Sequence, residues 1–538
     1  MKTQTALKPA RIAALLAAMT AACAGTTFAA NIAWDGSNSA LWSDGLNWVG
    51  DSAPANNTTS DIAVFNGTTA YLNQPTVDQF TVRSINGLQF GGASTVATTL
   101  SGATGTRSTS GAVTAGATTL TFADASGLQV GQVLTGTGIG VGTFITSVSG
   151  NTVTLSRATT GNTADNTTLT ATSGVNLGAG GITLLAGTPS VTNTLIAPIT
   201  LASDQTWTNN TTNRTIAIQG SINLGNNTLT LEGAAGSIIS FNGASTSQSI
   251  TGAGDIIINT AGRASFGSGS GNVHQSTFTG GVTLNQGVLN IAGGNTGNTG
   301  STAVLGTGIL TINGGSLRGD GNIAGRPLAN SGQVWNANWT YDGNRSIHMG
   351  FGEINLGIAE GISRTLTTNG GAYILTLGGD IVDGVTANTF IKAGVSELLL
   401  TGDVKITGDT IVDAGTLTMS DIGSFTFYIG ENGVNNGIGG TGTFAMNGTF
   451  IFDLTAASET FGNSWQIVSQ TVAATFGDNF TVAGFTQDND VWTFGDYTFS
   501  ESTGLLTYAA IPEPSTYAAL VGAGFLGLAV MRRKRRSV

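Results

Sequence analysis

From residue 31 to about 450, apolar and polar positions alternate over short stretches that end in Gly, Asn or Asp. Ser221–Glu232, Gly308–Asn313 and Glu397–Met419 show the pattern well. A period of two places alternate side chains on opposite faces of a strand. No 12-residue stretch of this body carries a convincing helical period. Asn-Gly and Asp-Gly pairs recur at Asn66-Gly67, Asn86-Gly87, Asn313-Gly314, Asp342-Gly343 and Asn447-Gly448, each read as a tight turn between strands. A long all-β chain with such spacing predicts a solenoid, sandwich or barrel.

Two segments narrow the choice. Phe278–Ala292 reads FTGGVTLNQGVLNIA and Ile406–Ser420 reads ITGDTIVDAGTLTMS. Aligned, they match Gly280 with Gly408, Gly287 with Gly415 and Leu289 with Leu417. The pair resembles the autotransporter-associated β-strand repeat, and that resemblance implies a right-handed parallel β-helix. At roughly 22 residues per coil the body would hold about 16 turns. The expected fold class is therefore all-β: a parallel β-solenoid with a small inserted β module, a C-terminal β cap and a C-terminal transmembrane helix.

Interruptions of the pattern set the predicted boundaries. Residues 1–30 form a signal peptide: Lys2, Lys8 and Arg11 precede the apolar run 12–22, and small residues place cleavage at Ala29 or Ala30. Residues 31–108 hold a Trp-rich cap and the first coils. Trp34, Trp42 and Trp48 either plug the open end of the solenoid or present a face that stacks on sugar rings. Residues 109–172 break the repeat and resemble a small β module found in bacterial surface and phage proteins. Residues 173–449 return to the repeat, and 450–510 are richer in Phe and Trp, a second cap. That stretch is too short to supply the eight strands of a membrane barrel.

Residues 511–538 carry three elements in order: Pro512-Glu513-Pro514, an apolar run ending at Met531, and Arg532-Arg533-Lys534-Arg535-Arg536. As a helix, Ser515–Met531 would be about 25 Å long, enough for a short span with the cations held on the cytoplasmic side. This tail resembles the PEP-CTERM sorting signal of Gram-negative bacteria. The resemblance implies recognition of Pro512, Glu513 and Pro514 by an exosortase, after a transient stay in the inner membrane. It further implies delivery to the cell surface, outer envelope or extracellular matrix, with the secretion machinery as partner and exopolysaccharide as surroundings. Pro on either side of Glu513 keeps the site extended.

Composition then excludes much. Of 538 residues, 81 are Gly and only 9% are charged, which disfavours a helical protein. With two His and one Cys, a zinc centre has almost no ligands to draw on. No cofactor or metal is expected. Cleavage of the signal would also remove Cys23, leaving no disulfide. The net charge of −11 understates the body: eight of 19 cations and one of 30 acids lie in the two ends, leaving 11 cations against 29 acids. Such a surface repels nucleic acid.

The best catalytic constellation is Arg345, His348, Glu353, Glu360 and Arg364, followed by Asp380 and Asp383. A paired-carboxylate signal is absent from it. Solvated turn residues are the plainer reading. His274 has no charged neighbour in sequence. Asp488-Asn489-Asp490 lacks the rest of a calcium loop. Arg318-Gly319-Asp320 matches an adhesion tripeptide but sits in a Gly-rich turn. The sequence reading is an exported structural or adhesive surface protein, not an enzyme. The alternatives are a β-helix polysaccharide lyase or glycosidase and a carbohydrate-binding protein.

Overall fold

A computed structural model describes residues 29–509 except 93–95, 188–190, 213, 243–247, 268–275, 293–302, 321–326, 358, 360 and 385–386, together with 523, 525, 526, 528 and 532. The chain divides into two compact units, Met1–Asn210 and Thr211–Val538. Both are built on an all-β, right-handed-type parallel solenoid, with about 14 turns in all.

In the first unit, Ala30–Ala33, Asp61–Phe65, Val82–Gly91 and Gly174–Leu185 lie side by side in parallel. Val82–Gly91 and Gly174–Leu185 pair directly in the sheet, although they are far apart in the chain. The chain between them leaves the solenoid and returns. It forms a six-stranded antiparallel module running from Thr104–Ser108 to Thr168–Thr172. Leu120, Phe122, Leu134, Ile145, Val153, Leu155 and Leu169 give the module its own core.

In the second unit each coil contributes strands to as many as three stacked faces, named first, second and third in the order the chain meets them. One coil runs through Ile381–Val382, Thr389–Ala393 and Leu398–Leu400, and the next through Val404–Lys405, Thr410–Val412 and Thr416–Met419. Ile354, Ile381, Val404, Phe425 and Phe450 occupy one inward column, at unequal intervals along the chain. Alternation does the rest: inward Leu, Ile, Val and Phe are buried, and Thr or Asn face outward.

The glycines are stacked rather than scattered. Gly254, Gly280 and Gly308 each precede an inward column residue by two positions, as do Gly352, Gly379, Gly402, Gly423 and Gly448. A Cβ on any of these eight would fall under 3.0 Å from backbone of the preceding coil, most often a carbonyl oxygen. Close approach of coil to coil, rather than turn conformation, accounts for this part of the glycine content. The Asn-Gly pairs differ from the expectation in the same way. Asn86-Gly87 lies inside the strand Val82–Gly91, and Asn447-Gly448 sits at a corner between parallel strands. A hairpin turn reverses the chain, whereas a solenoid corner only bends it.

The repeat alignment is also corrected. Phe278–Ala292 supplies Val282–Leu284 and Val288–Ile291, on the first and second faces. Ile406–Ser420 supplies Thr410–Val412 and Thr416–Met419, on the second and third. Leu289 and Leu417 therefore belong to different sheets. What repeats is a strand–corner–strand unit, not a whole coil, and the autotransporter-associated repeat is not supported.

At the end of the second unit the strands turn antiparallel. Asn463–Gln466, Leu505–Tyr508, Tyr497–Ser500, Val491–Phe494 and Thr486–Asp488 form a five-stranded sheet. Phe499 is buried and packs against Phe450, Phe452, Phe476 and Phe480. An antiparallel layer over the last coil removes an edge that a further coil would otherwise pair with.

Candidate functional site

The sorting residues Pro512, Glu513 and Pro514, the cations Arg533, Lys534, Arg535 and Arg536, and residues 1–28 lie outside the described residues. Ala523, Phe525, Leu526, Leu528 and Arg532 are helical. No helix among the described residues is long and apolar enough to cross a membrane; most of the expected transmembrane helix, 515–531, lies outside them, and that helix is not shown. At the other end, Ala30 already belongs to the first strand, and its N–H donates to Ser60 O at 3.0 Å.

The three N-terminal indoles do not form a stacking face. Trp34, Trp42 and Trp48 are 2%, 0% and 0% exposed. Trp48 meets Trp34 and Trp42 edge-on, each at 5.0 Å between ring centroids, and Phe65 stacks on Phe90 beside them. The Trp48 indole N–H donates to Trp42 O at 2.8 Å. Sugar stacking needs an open ring face, and these rings are closed in by each other.

The charged constellation is dispersed. His348 lies on the third face, Glu353 and Asp380 on the first, and Arg364 on the second. Arg345 donates to Tyr373 Oη at 3.1 Å. The half-buried His348 accepts from Gly350 N–H at 3.1 Å and abuts Phe351, and burial pushes its pKa down, leaving a neutral imidazole. Arg364 donates from Nε to the carbonyls of Trp335 and Leu356, at 2.8 and 3.0 Å. Asp383 accepts from Thr407 N–H and hydroxyl, both at 2.7 Å. Glu360 and His274 lie outside the described residues.

One gathering of charge does form, and sequence reasoning missed half of it. Glu353, Asp380 and Asp403 share one outward register position on successive coils, each just ahead of an inward column residue. Lys405 Nζ reaches Asp380 Oδ2 at 2.7 Å and Asp403 Oδ2 at 2.9 Å. Partial burial pushes the Asp380 carboxyl up, but hydrogen bonds from Lys405 and the Asp403 N–H, with the Lys405 charge, outweigh this and hold it below the ordinary value. Hydrogen bonds to the two aspartates push Lys405 up. The signal available in the sequence is the recurrence of Gly379-Asp380 as Gly402-Asp403, each followed by an apolar column residue.

Aspartates of the Gly-Asp pairs also join coil to coil. Asp380 Oδ1 accepts from Asp403 N–H at 3.0 Å, Asp255 Oδ1 from Gly281 N–H at 2.7 Å, and Asp409 Oδ1 from Gly437 N–H at 2.8 Å. Asp403 Oδ1 accepts from the Ser424 hydroxyl at 2.8 Å. Each bond ties a corner to the next coil, the use to which Gly-Asp pairs are put here.

Other motifs resolve similarly. In Arg318-Gly319-Asp320 the side chains pair with each other at 2.6 Å, and Arg263 holds the other Asp320 oxygen at 3.3 Å, so the tripeptide is not presented. Asp488-Asn489-Asp490 is a hairpin turn with Asn489 at a φ of 53°. Among the described residues no group of three or more His, Cys, Asp or Glu is placed to hold a metal ion.

One buried ionisable residue had no sequence signal. Lys392 points inward in Thr389–Ala393, in register with Leu366 and Val412, and is fully buried. Its Nζ donates to Gly394 O at 2.6 Å and Ala414 O at 2.7 Å. Burial pushes its pKa down to about 8.

Residues 510–536 match the PEP-CTERM protein-sorting motif. That motif indicates an exported, cell-envelope-directed protein processed by exosortase. No curated protein matches the chain. Two solved structures are similar. One is the Gp54 tailspike of Acinetobacter baumannii bacteriophage AP22 in complex with A. baumannii capsular saccharide, at 11% identity and TM-score 0.19, covering 80% of this chain and 77% of that one. The other is the tailspike protein gp49 from Pseudomonas phage LKA1, at 14% identity and TM-score 0.20, covering 78% and 74%. The expectation that the chain is not an enzyme does not stand. A likeness this low assigns no reaction and no residue. What stands is a PEP-CTERM sorting motif at 510–536 of an exported chain, whose own strand pairing makes it a β-solenoid.

Proposed function

We propose that the exported chain is a structural or adhesive β-solenoid of the cell surface or its polysaccharide matrix. The observation that carries this reading is the sorting motif at 510–536. The body supports it. Coils tied by backbone ladders, by Asp-to-N–H bonds at the corners and by stacked glycines need neither disulfide nor metal to persist outside the cell. Thr and Asn in place of charge give an outer face that hydrogen-bonds with water and polysaccharide alike.

The test is processing. In the native host, mass spectrometry of the surface fraction should find chains that have lost the basic tail. Replacing Pro512, Glu513 and Pro514 with Ala should leave the tail on and hold the chain in the membrane fraction. An intact tail on surface-exposed wild-type protein would overturn the reading.

A further inference from the structure

The inserted module makes one wall of a groove in the first unit. The opposite wall is an outward column on three successive coils: Ser84 is in register with Asn176, and Asn176 with Thr200. The module brings its Gln129–Gly131 loop against this column, and Val82 completes the lining. The space between the walls is about 360 Å³, within the range of roughly 300–1,000 Å³ usual for small-ligand sites.

The lining is polar and uncharged. No Lys, Arg, Asp or Glu reaches it among the described residues. Gln129 is fixed in place because its Oε1 accepts from Val82 N–H at 3.0 Å. Asn176 touches Ser84 through a long 3.4 Å contact. The Thr200 hydroxyl is buried and has no hydrogen-bond partner. That oxygen faces the Gly131 loop and is closed to solvent, so the polar groups a ligand reaches are those of Ser84, Asn176 and Gln129. Gly131, at a φ of 93°, lets the loop close on Val82 and Thr200; a Cβ there would meet them at 3.3 and 3.5 Å. Val82 and the half-exposed Val130 supply apolar surface beside the amides and hydroxyls.

We infer that this groove binds a short segment of neutral polysaccharide. Hydroxyls pair with Ser84, Asn176 and Gln129, and the C–H faces of the sugar rest on the two valines. An anionic segment is disfavoured, because no cation lines the groove to offset its desolvation. The column is linear with a step of about 4.8 Å, which suits a chain laid along it better than a compact molecule. The inference rests on the surface reading above for the presence of such polymers.

The experiment uses the secreted chain and ligand-observed NMR with short neutral glucose and N-acetylglucosamine oligomers, against oligogalacturonate as the anionic comparator. A neutral oligomer should bind, and oligogalacturonate should not. Asn176→Leu and Ser84→Ala should each weaken binding about tenfold, the size of one lost hydrogen bond. The Ser84 hydroxyl makes only the long contact with Asn176, so the melting temperature of Ser84→Ala should hold, separating lost binding from lost folding. Asp380→Asn, in the other unit, should bind like wild type. Binding to none of the neutral oligomers, or binding unchanged in both groove variants, would overturn the inference. Surface delivery measured by tail processing is independent of these outcomes, so loss of the groove and loss of the surface role are distinguishable.

Discussion

Truncating Trp48 is the sharpest test of how the first coils are held. The indole is fully buried, edge-on to two other tryptophans, and hydrogen-bonded to Trp42 O. Removing an aromatic of about 200 Å² forgoes about 5 kcal/mol at 25 cal/mol/Å². Partial collapse of the site returns some of this, and measured Trp-to-Ala costs run about 3–5 kcal/mol. The orphaned Trp42 carbonyl adds about 1 kcal/mol. Trp48→Ala should therefore destabilise the first unit by about 4–5 kcal/mol, a large part of the stability of an ordinary domain. Solenoids unfold by neighbouring units rather than all at once, so the loss should appear as an early transition. Urea unfolding followed by circular dichroism, with limited proteolysis to locate the opened segment, measures it. Trp48→Phe keeps most of the packing and should cost clearly less than Trp48→Ala. If Trp48→Ala loses under about 1 kcal/mol, far below the usual cost of a buried aromatic, yet abolishes glycan binding, the burial reasoning is wrong and the indole is a recognition surface.

Other outcomes follow from the same geometry. Gly379→Ala would push a Cβ into Gly352 O and should cost about 1–3 kcal/mol or more by overpacking. Gly371→Ala has open space around it and carries only the strain of its φ of 65°, about 1–2 kcal/mol; a greater loss of melting temperature in Gly371→Ala than in Gly379→Ala would refute the stacked-corner argument. Lys392 has a folded pKa near 8, below its unfolded value of about 10.4. Between these the unfolded chain binds more protons, so stability rises with pH across that window, by up to about 3 kcal/mol. Lys392→Met should lack this gain when denaturant melts at pH 7.5 and 10 are compared, and parallel behaviour of the two proteins would contradict the assignment. The Asp380 contribution has the opposite window: it is present above the unfolded carboxylate value and lost as acid passes its lowered folded value. Asp380→Asn should flatten the acid limb of the stability curve. N-terminal sequencing of the exported protein should begin at Ala30 or Asn31, the two starts its small residues offer. A start beyond Ala33 would remove the first strand and contradict the assignment.

Local chemistry by itself determines much of this protein. Alternation with Gly and Asn punctuation determines an all-β chain, because a period of two places one face inward whatever the neighbours are. Pro512-Glu513-Pro514, the apolar run and the basic cluster determine export and sorting, because those signals are read as linear sequence.

Tertiary structure decided everything that depends on which residues share a column. Two similar segments, 278–292 and 406–420, lie on different pairs of faces because a strand–corner–strand motif fits any vertex. Asp380 finds Lys405, and Ser84 finds Asn176, because coils of unequal length bring distant positions into register. Trp34, Trp42 and Trp48 could have faced sugar or core. Composition is the same in both cases, and only packing against one another and against Phe65 distinguishes them. The glycines show the division most clearly. Their number is written in the sequence, but their use as a stacked corner exists only once each coil rests on the one before it.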